Sequence, residues 1–122
     1  MTYKKALEYP HMIGKIEQLK DALHELECSY QKIADKATPA VTREYNRNYS
    51  ALDRQLKLCM AQCEEFERWY AAIPDRYIQA CVGMHYIDGV SWSKVGTAMG
   101  RKGSAVKKAV ERYFKKEERE KE

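Results

Sequence analysis

Residues 86–108 read YIDGVSWSKVGTAMGRKGSAVKK, and their glycines and serines are the clearest turn and cap signals in the chain. Gly89 and Gly100 each follow a helical pattern, and glycine readily adopts the left-handed conformation that ends a helix. Ser91 is suited to cap a short helix over residues 92–99, because a serine side chain accepts a hydrogen bond from a first-turn N–H. The pattern predicts a helix, a turn, a short helix, a second turn and a basic helix.

The last helix is expected to begin at Gly103-Ser104. Val106 and Val110 are four residues apart, a spacing that places both on the inner face of this helix. Gly96 lies inside the short helix, where glycine costs about 1 kcal/mol relative to alanine. A small residue is useful there if the last helix crosses close above it. Such a crossing is a requirement of the helix-turn-helix, whose second helix enters the major groove of DNA.

A further helix is predicted directly ahead of this pair. Pro74 suits the first position of a helix, and the apolar pattern after it ends near Tyr86. Trp92 is expected to pack against this preceding helix, with a phosphate contact from its indole N–H as the alternative. Asp75 and Asp88 flank the turns and are interpreted as helix caps.

Two heptad patterns come first in the chain. Apolar residues recur at alternating steps of four and three over residues 12–33, and again over residues 45–70. Pro39 separates the two series and predicts a turn, so the helices should fold back as an antiparallel, coiled-coil-like hairpin. Pro10 is expected in the first turn of the first helix, with residues 2–9 forming a separate short helix or a frayed lead-in.

The predicted fold class is therefore all-α, in three parts. Residues 1–72 form the helical hairpin, residues 73–116 the helix-turn-helix domain and residues 117–122 a charged tail. A two-helix hairpin buries one stripe per helix, so it needs contacts from the C-terminal module, a second copy or another protein. It serves either as a docking arm or simply to complete the core.

Positive charge is concentrated in one segment of the chain. The net charge is +4, yet residues 1–72 are neutral, with eleven basic and eleven acidic residues. Residues 94–116 contain eight basic residues and one glutamate, a net charge of +7. Such confinement is typical of a nucleic-acid-binding surface. The candidate DNA contacts are Arg101, Lys102, Ser104, Lys107, Lys108, Arg112 and Lys115.

Different roles are expected within this set. Arg101 or Lys108 is predicted to recognise guanine, since a bidentate contact to that base gives ~1–3 kcal/mol of discrimination. Lys107, Arg112 and Lys115 are predicted to contact phosphates, which position the protein without reading sequence.

Residues 86–100 resemble region 4 of sigma-70-type factors. That family typically has an aromatic residue, a glycine turn, a serine–aromatic pair, a valine–alanine pair and a final leucine–glycine. Ala105-Val106 and Arg112 match the threonine–valine pair and the later arginine of its recognition helix. The likeness covers residues 74–116. With the long helices ahead of it, the chain is similar to small sigma-like regulators of phages and mobile elements of Gram-positive bacteria.

The resemblance implies a regulator that binds double-stranded DNA, acts in late-gene transcription and contacts RNA polymerase. Three departures qualify it. Gly96 stands where alanine is usual, and Lys102 stands where the family caps its recognition helix with serine, which shifts the expected cap to Ser104. Nothing resembles sigma region 2, so a self-sufficient initiation factor is not expected. A homodimer through the hairpin, or docking on RNA polymerase, would supply the specificity that one module lacks.

Two other functions remain open. A small terminase subunit, which recognises phage DNA for packaging, also combines a helix-turn-helix with helical assembly segments, but it forms rings of many copies. A sigma-like protein that binds polymerase without binding DNA is the second alternative, and it would show no salt-dependent affinity for DNA.

Several classes are excluded by the pattern. The four cysteines are expected to be thiols that pack as small apolar residues, because Cys59 and Cys63 lack a second pair to complete a zinc site. No phosphate loop or nucleophile–base set is found, so no enzyme, cofactor or metal is predicted. No apolar run reaches the ~20 residues of a membrane span, and no secretory signal is found. The expected compartment is the cytosol of a bacterial host.

Overall fold

A computed structural model of the chain describes residues 1–121. This part is all-helical and contains no strand, as predicted. Its helices are α1 (Tyr3–Gln31), α2 (Pro39–Ala71), α3 (Arg76–Val82), α4 (Trp92–Met99) and α5 (Gly103–Lys121). A 3-10 turn over Ala34–Lys36 follows α1, and a π-helical segment over Gly83–Ile87 continues α3.

The chain divides into two compact units. Residues 12–62 form a hairpin unit, and residues 1–11 together with the chain from Cys63 onward form what we call the composite unit. The predicted boundary after residue 72 lies inside the composite unit. The first turns of α1 and the last turns of α2 pack there with the C-terminal helices.

The hairpin unit consists of most of α1 and α2 and the turn between them. At the turn, the rings of Tyr30 and Tyr45 stack with centroids 4.1 Å apart, and the hydroxyls of Tyr30 and Thr42 are hydrogen-bonded at 2.8 Å. Further along the arms, Leu19 and Leu23 are buried. These contacts bring the two arms together in the antiparallel sense that the heptad patterns predict.

The start of α1 differs from the prediction. The helix begins at Tyr3 and passes through Pro10, so the chain before the proline is neither a separate helix nor frayed. Tertiary contacts explain this, because Ala6 is fully buried and the ring of Tyr9 stacks on Phe66 at 4.3 Å. An interior proline costs a helix about 3 kcal/mol, and this packing offsets the cost.

The core of the composite unit is built mainly by α5 and the helices that surround it. Val106 and Val110 are fully buried and Phe114 nearly so, which confirms the predicted inner face of α5. The ring of Tyr86 meets Phe114 edge to face with centroids 6.1 Å apart. Trp69 of α2 stacks on the same phenylalanine at 5.2 Å. A continuous aromatic cluster therefore holds α5 in place.

The predicted charged tail is part of α5. The helix extends to Lys121, and the indole N–H of Trp69 donates to the carboxylate of Glu117, with nitrogen–oxygen distances of 2.8 and 2.7 Å. The sequence of this segment is rich in charge, but Glu117 lies one turn after the buried Phe114. Its carboxylate is therefore a structural group that fixes the end of α5 against α2.

The start of α3 also differs from the prediction. Pro74 precedes the helix, which begins at Arg76. The carboxylate of Asp75 caps it by accepting hydrogen bonds from the backbone N–H groups of Tyr77 and Ile78. Asp75 acts as a cap because a carboxylate satisfies first-turn N–H groups that have no partner within the helix.

Candidate nucleic-acid interface

The α4–turn–α5 segment has the local geometry that the sequence predicts. The side chain of Ser91 accepts a hydrogen bond from the backbone N–H of Lys94 at 3.4 Å and caps α4. Gly100 ends this helix in the left-handed conformation, with a φ of 70°. Only residues 100–102 separate α4 from α5, so the two helices form a tightly connected pair.

The two helices approach each other through glycines. A Cβ added to Gly96 would lie 2.6 Å from the carbonyl oxygen of Arg101 and 2.6 Å from the nitrogen of Gly103. A Cβ added to Gly103 would in turn lie 2.7 Å from the carbonyl oxygen of Trp92. The predicted close crossing above Gly96 is confirmed, and Gly103 is a second glycine that it requires.

The cap of α5 is not where it was expected. The helix begins at Gly103, and the carbonyl of Lys102 accepts hydrogen bonds from Ala105 and Val106 at 3.0 and 3.1 Å. Ser104 is the second residue of the helix and is exposed, so it is not the cap. Because the carbonyl of Lys102 accepts the first backbone hydrogen bonds of α5, Lys102 itself occupies the cap position.

All seven candidate DNA contacts are exposed. On α5, a rotation of about 100° per residue places Lys108, Arg112 and Lys115 on the side opposite the buried valines. Ser104 lies on that side near the start of the helix, and Lys107 lies on its flank. Glu111, which is half-buried, is the one acidic residue in this part of the helix. We call the exposed side of α5 carrying the five candidates its cationic face.

The cationic face is not neutralised by ion pairs that the structure describes. The four salt bridges found within residues 1–121 involve none of the seven candidates. Positive charge on this side of α5 is therefore available to an external anion.

Arg101 is held differently from the other candidates. Its guanidinium lies over the ring of Tyr77, 4.7 Å from the centroid, in a cation–π contact between the turn and α3. Nothing in the sequence indicated this partner, since the two residues are distant in the chain and belong to separate motifs. The contact restrains the direction in which Arg101 can reach.

Trp92 packs against the chain ahead of α4, as predicted. Its indole stacks on the ring of His85 with centroids 3.8 Å apart and an angle of 18°, and it meets Tyr86 edge to face at 6.0 Å. The Nδ1–H of His85 donates to the carbonyl of Val90 at 2.8 Å. This bond orients the imidazole and ties the π-helical segment to the loop before α4.

Three of the four cysteines are placed as the packing residues that the sequence predicts, whereas Cys28 is only half-buried. Cys59, Cys63 and Cys81 are buried. Burial raises the pKa of the Cys81 thiol, although the positive charge of Arg101 acts to lower it. Over residues 1–121 no group of His, Cys, Asp or Glu side chains is arranged to hold a metal ion. Nor is any helix in that range long and apolar enough to cross a membrane.

Comparison of the chain with known families, curated proteins and solved structures finds no match. The likeness to region 4 of sigma-70-type factors therefore stays a prediction made from residues 74–116, and the site rests on the geometry described above.

Proposed function

We propose that this chain is a sequence-specific regulator of transcription that binds double-stranded DNA by inserting α5 into the major groove. The main support for this proposal is that α5 has one buried apolar side and one exposed basic side. Val106 and Val110 anchor one side in the core, while exposed lysine and arginine side chains cover the other. A helix so anchored on a tightly connected partner helix can present cations to DNA without itself unfolding or shifting.

The roles of the contacts follow from their positions along α5. Ser104 and Lys108 lie in its first turns, which approach base edges when a recognition helix enters the groove. Lys107, Arg112 and Lys115 lie on the flank or further along, where phosphates are closer. We assign guanine recognition to Lys108 rather than Arg101, because the guanidinium of Arg101 is engaged by Tyr77.

Most of the affinity is then electrostatic. Each phosphate contact releases counterions when it forms. A plot of the logarithm of the binding constant against the logarithm of the salt concentration therefore has a slope of about −0.9 for each contact. One helix of this size gives a modest footprint, and specific regulation needs a second copy or a partner. The likeness to sigma-like phage regulators supports RNA polymerase as that partner, late genes as the target and the bacterial cytosol as the compartment. We propose no catalytic activity.

Selection of bound fragments from random duplexes, repeated at two salt concentrations, tests the proposal. We expect an enriched sequence motif and an affinity that falls steeply with salt. Binding to RNA polymerase with no affinity for duplexes would favour the polymerase-binding alternative. A ring of many copies on the selected DNA would favour the packaging alternative.

A further inference from the structure

Arg101 is the one candidate DNA contact whose charged group makes a cation–π contact within the described residues. It lies in the turn that joins α4 to α5, and its guanidinium carbon is 4.7 Å from the centroid of the Tyr77 ring. The side chain is nevertheless exposed. A guanidinium carries five N–H donors, and no ion pair within residues 1–121 uses those of Arg101. The group is therefore oriented by the ring but still open to an external anion.

Tyr77 is a fixed support for this guanidinium. Its backbone N–H donates to the carboxylate of Asp75 at 2.9 Å, in the capped first turn of α3. Its side chain is half-buried, and its hydroxyl oxygen is completely buried. Cys81, one turn further along α3, is fully buried as well. Because the ring belongs to the packed side of α3, the ring restrains the exposed arginine and not the reverse.

Restraint of an arginine before binding affects its affinity for a partner. A free arginine side chain has many rotamers, and the loss of this freedom on contact with a ligand opposes binding. A side chain that is already held loses less freedom, so the same contact gives a higher affinity. The cation–π contact leaves the positive charge intact. The pair is therefore suited to present a cation to an anionic partner.

The position of Arg101 favours a phosphate over a base. In a helix-turn-helix, the first helix crosses the phosphate backbone and the second enters the groove. The turn that joins them therefore lies beside the backbone. The guanidinium of Arg101 is directed to Tyr77 of α3 and not to the first turns of α5, to which base contacts are assigned.

We infer that Arg101 contacts a DNA phosphate, and that Tyr77 is the positioning residue that holds its guanidinium ready for this contact. These roles rest on the proposed function, since they add an anchor to the same DNA-binding site. They differ from the guanine contact that the sequence suggested for Arg101, because a phosphate contact fixes the protein on DNA without reading the bases.

Arg101→Ala tests the phosphate contact in titrations of the selected duplex at several salt concentrations. We expect the affinity to fall by about tenfold at about 0.1 M salt, and the magnitude of the salt slope to fall by about 0.9. Base preference should not change. Lys20→Ala is the control, because it removes the same charge from an exposed site in the hairpin unit and should leave the slope unchanged. An unchanged slope in Arg101→Ala, or a preference lost at one base position, would overturn the phosphate contact.

Replacement of Tyr77 tests its positioning role. We expect Tyr77→Leu to lower the affinity by about three- to tenfold without changing the salt slope, because Arg101 still reaches the phosphate but must be ordered during binding. Tyr77→Phe keeps the ring and loses a hydroxyl that has no hydrogen-bond partner within the described residues, so it should bind like the wild type. In an Arg101→Ala background, Tyr77→Leu should have no further effect on affinity. An equal effect of Tyr77→Leu in both backgrounds would overturn the positioning role.

Nuclear magnetic resonance of the full chain without DNA gives a second measurement of the positioning. Protons above an aromatic ring are shielded, so the side-chain resonances of Arg101 should be shifted upfield in the wild type and in Tyr77→Phe. Unshifted resonances would overturn the positioning role even if Tyr77→Leu did not fold. A wild type without affinity for duplexes would contradict the proposed function. A wild type that binds DNA with a salt slope that Arg101→Ala leaves unchanged would contradict this inference alone.

Discussion

Gly96 of α4 and Gly103 of α5 approach so closely that a Cβ on the first would lie 2.6 Å from the backbone nitrogen of the second. This separation is well inside van der Waals contact, and the opposing atoms are backbone that cannot rotate away. The angle at which α5 leaves the turn, and therefore the direction of its cationic face, depends on the absence of a side chain at both positions.

Gly96→Ala should destabilise the protein by about 1–3 kcal/mol, because the cost of overpacking exceeds the gain in helix propensity. Urea unfolding measures the change. Gly14→Ala is the control, since Gly14 lies in α1 with no atom within 4 Å of an added Cβ. That substitution should stabilise by about 0.5–1 kcal/mol. If Gly96→Ala and Gly14→Ala changed the stability in the same direction, the close approach of Gly96 to α5 would be refuted.

Tyr86→Phe should either leave the free energy of unfolding unchanged or increase it, by about 1–3 kcal/mol at most. Tyr86 is 2% exposed, and its hydroxyl has no hydrogen-bond partner within the described residues. Removing a buried polar group without a partner removes its desolvation cost. Tyr9→Phe is the contrasting variant, because the hydroxyl of Tyr9 donates to Glu67 at 2.8 Å. Chemical denaturation should show that Tyr9→Phe is less stable than the wild type. An equal loss in Tyr86→Phe would mean that the Tyr86 hydroxyl does have a hydrogen-bond partner.

Alkaline pH should destabilise the protein partly through Tyr9. Burial and the hydrogen bond to Glu67 raise the pKa of Tyr9 to about 12, against about 10 in an unfolded chain. Because the folded state favours the protonated phenol, this contribution is complete below pH 10 and is lost as pH rises from about 10 to 12. The stability difference between wild type and Tyr9→Phe, measured by denaturant unfolding across this range, should therefore shrink. A constant difference would show that Tyr9 titrates normally.

Lys108→Ala and Lys115→Ala should affect DNA binding in different ways. The first should relax base preference at one position of the selected site, because Lys108 is assigned to a base edge. The second should weaken binding to all sequences and reduce the magnitude of the salt slope by about 1. Competition titrations against single-base variants of the site, at several salt concentrations, separate the two effects. The assigned register of α5 would be wrong if the two substitutions gave the same pattern.

Much of this architecture is predictable from local patterns. The glycine and serine signals around α4 gave its cap and its end correctly, because these features depend on only a few neighbouring residues. The spacing of Val106 and Val110 likewise gave the buried side of α5. The costly Gly96 inside a helix indicated the close crossing, since a penalty of that kind is explained by another backbone nearby.

The predictions that were wrong have more than one physical cause. Pro10 was expected in the first turn of α1, but packing around the buried Ala6 lets the helix begin earlier, at Tyr3. Pro74 was expected at the first position of α3, but the carboxylate of Asp75 caps this helix, which begins at Arg76. A cap was expected at Ser104, whereas the carbonyl of Lys102 accepts the first hydrogen bonds of α5.

The packing of Tyr9 on Phe66 beside Ala6 joins residues distant in sequence, as does the ring of Tyr77 beneath Arg101, and local periodicity carries no information about such contacts. The Asp75 cap is local, because its partners lie two and three residues further on.

Charge reversal on the cationic face of α5 tests whether this face binds DNA. Lys107→Glu combined with Lys108→Glu should abolish binding to the selected duplex while circular dichroism shows unchanged helix content. Lys4→Glu with Lys20→Glu is the matched control, because both lysines are exposed and the net charge changes equally. That control should retain most of the affinity. Unaltered affinity in the α5 variant, or an equal loss in the control, would show that the cationic face of α5 is not the DNA-binding surface.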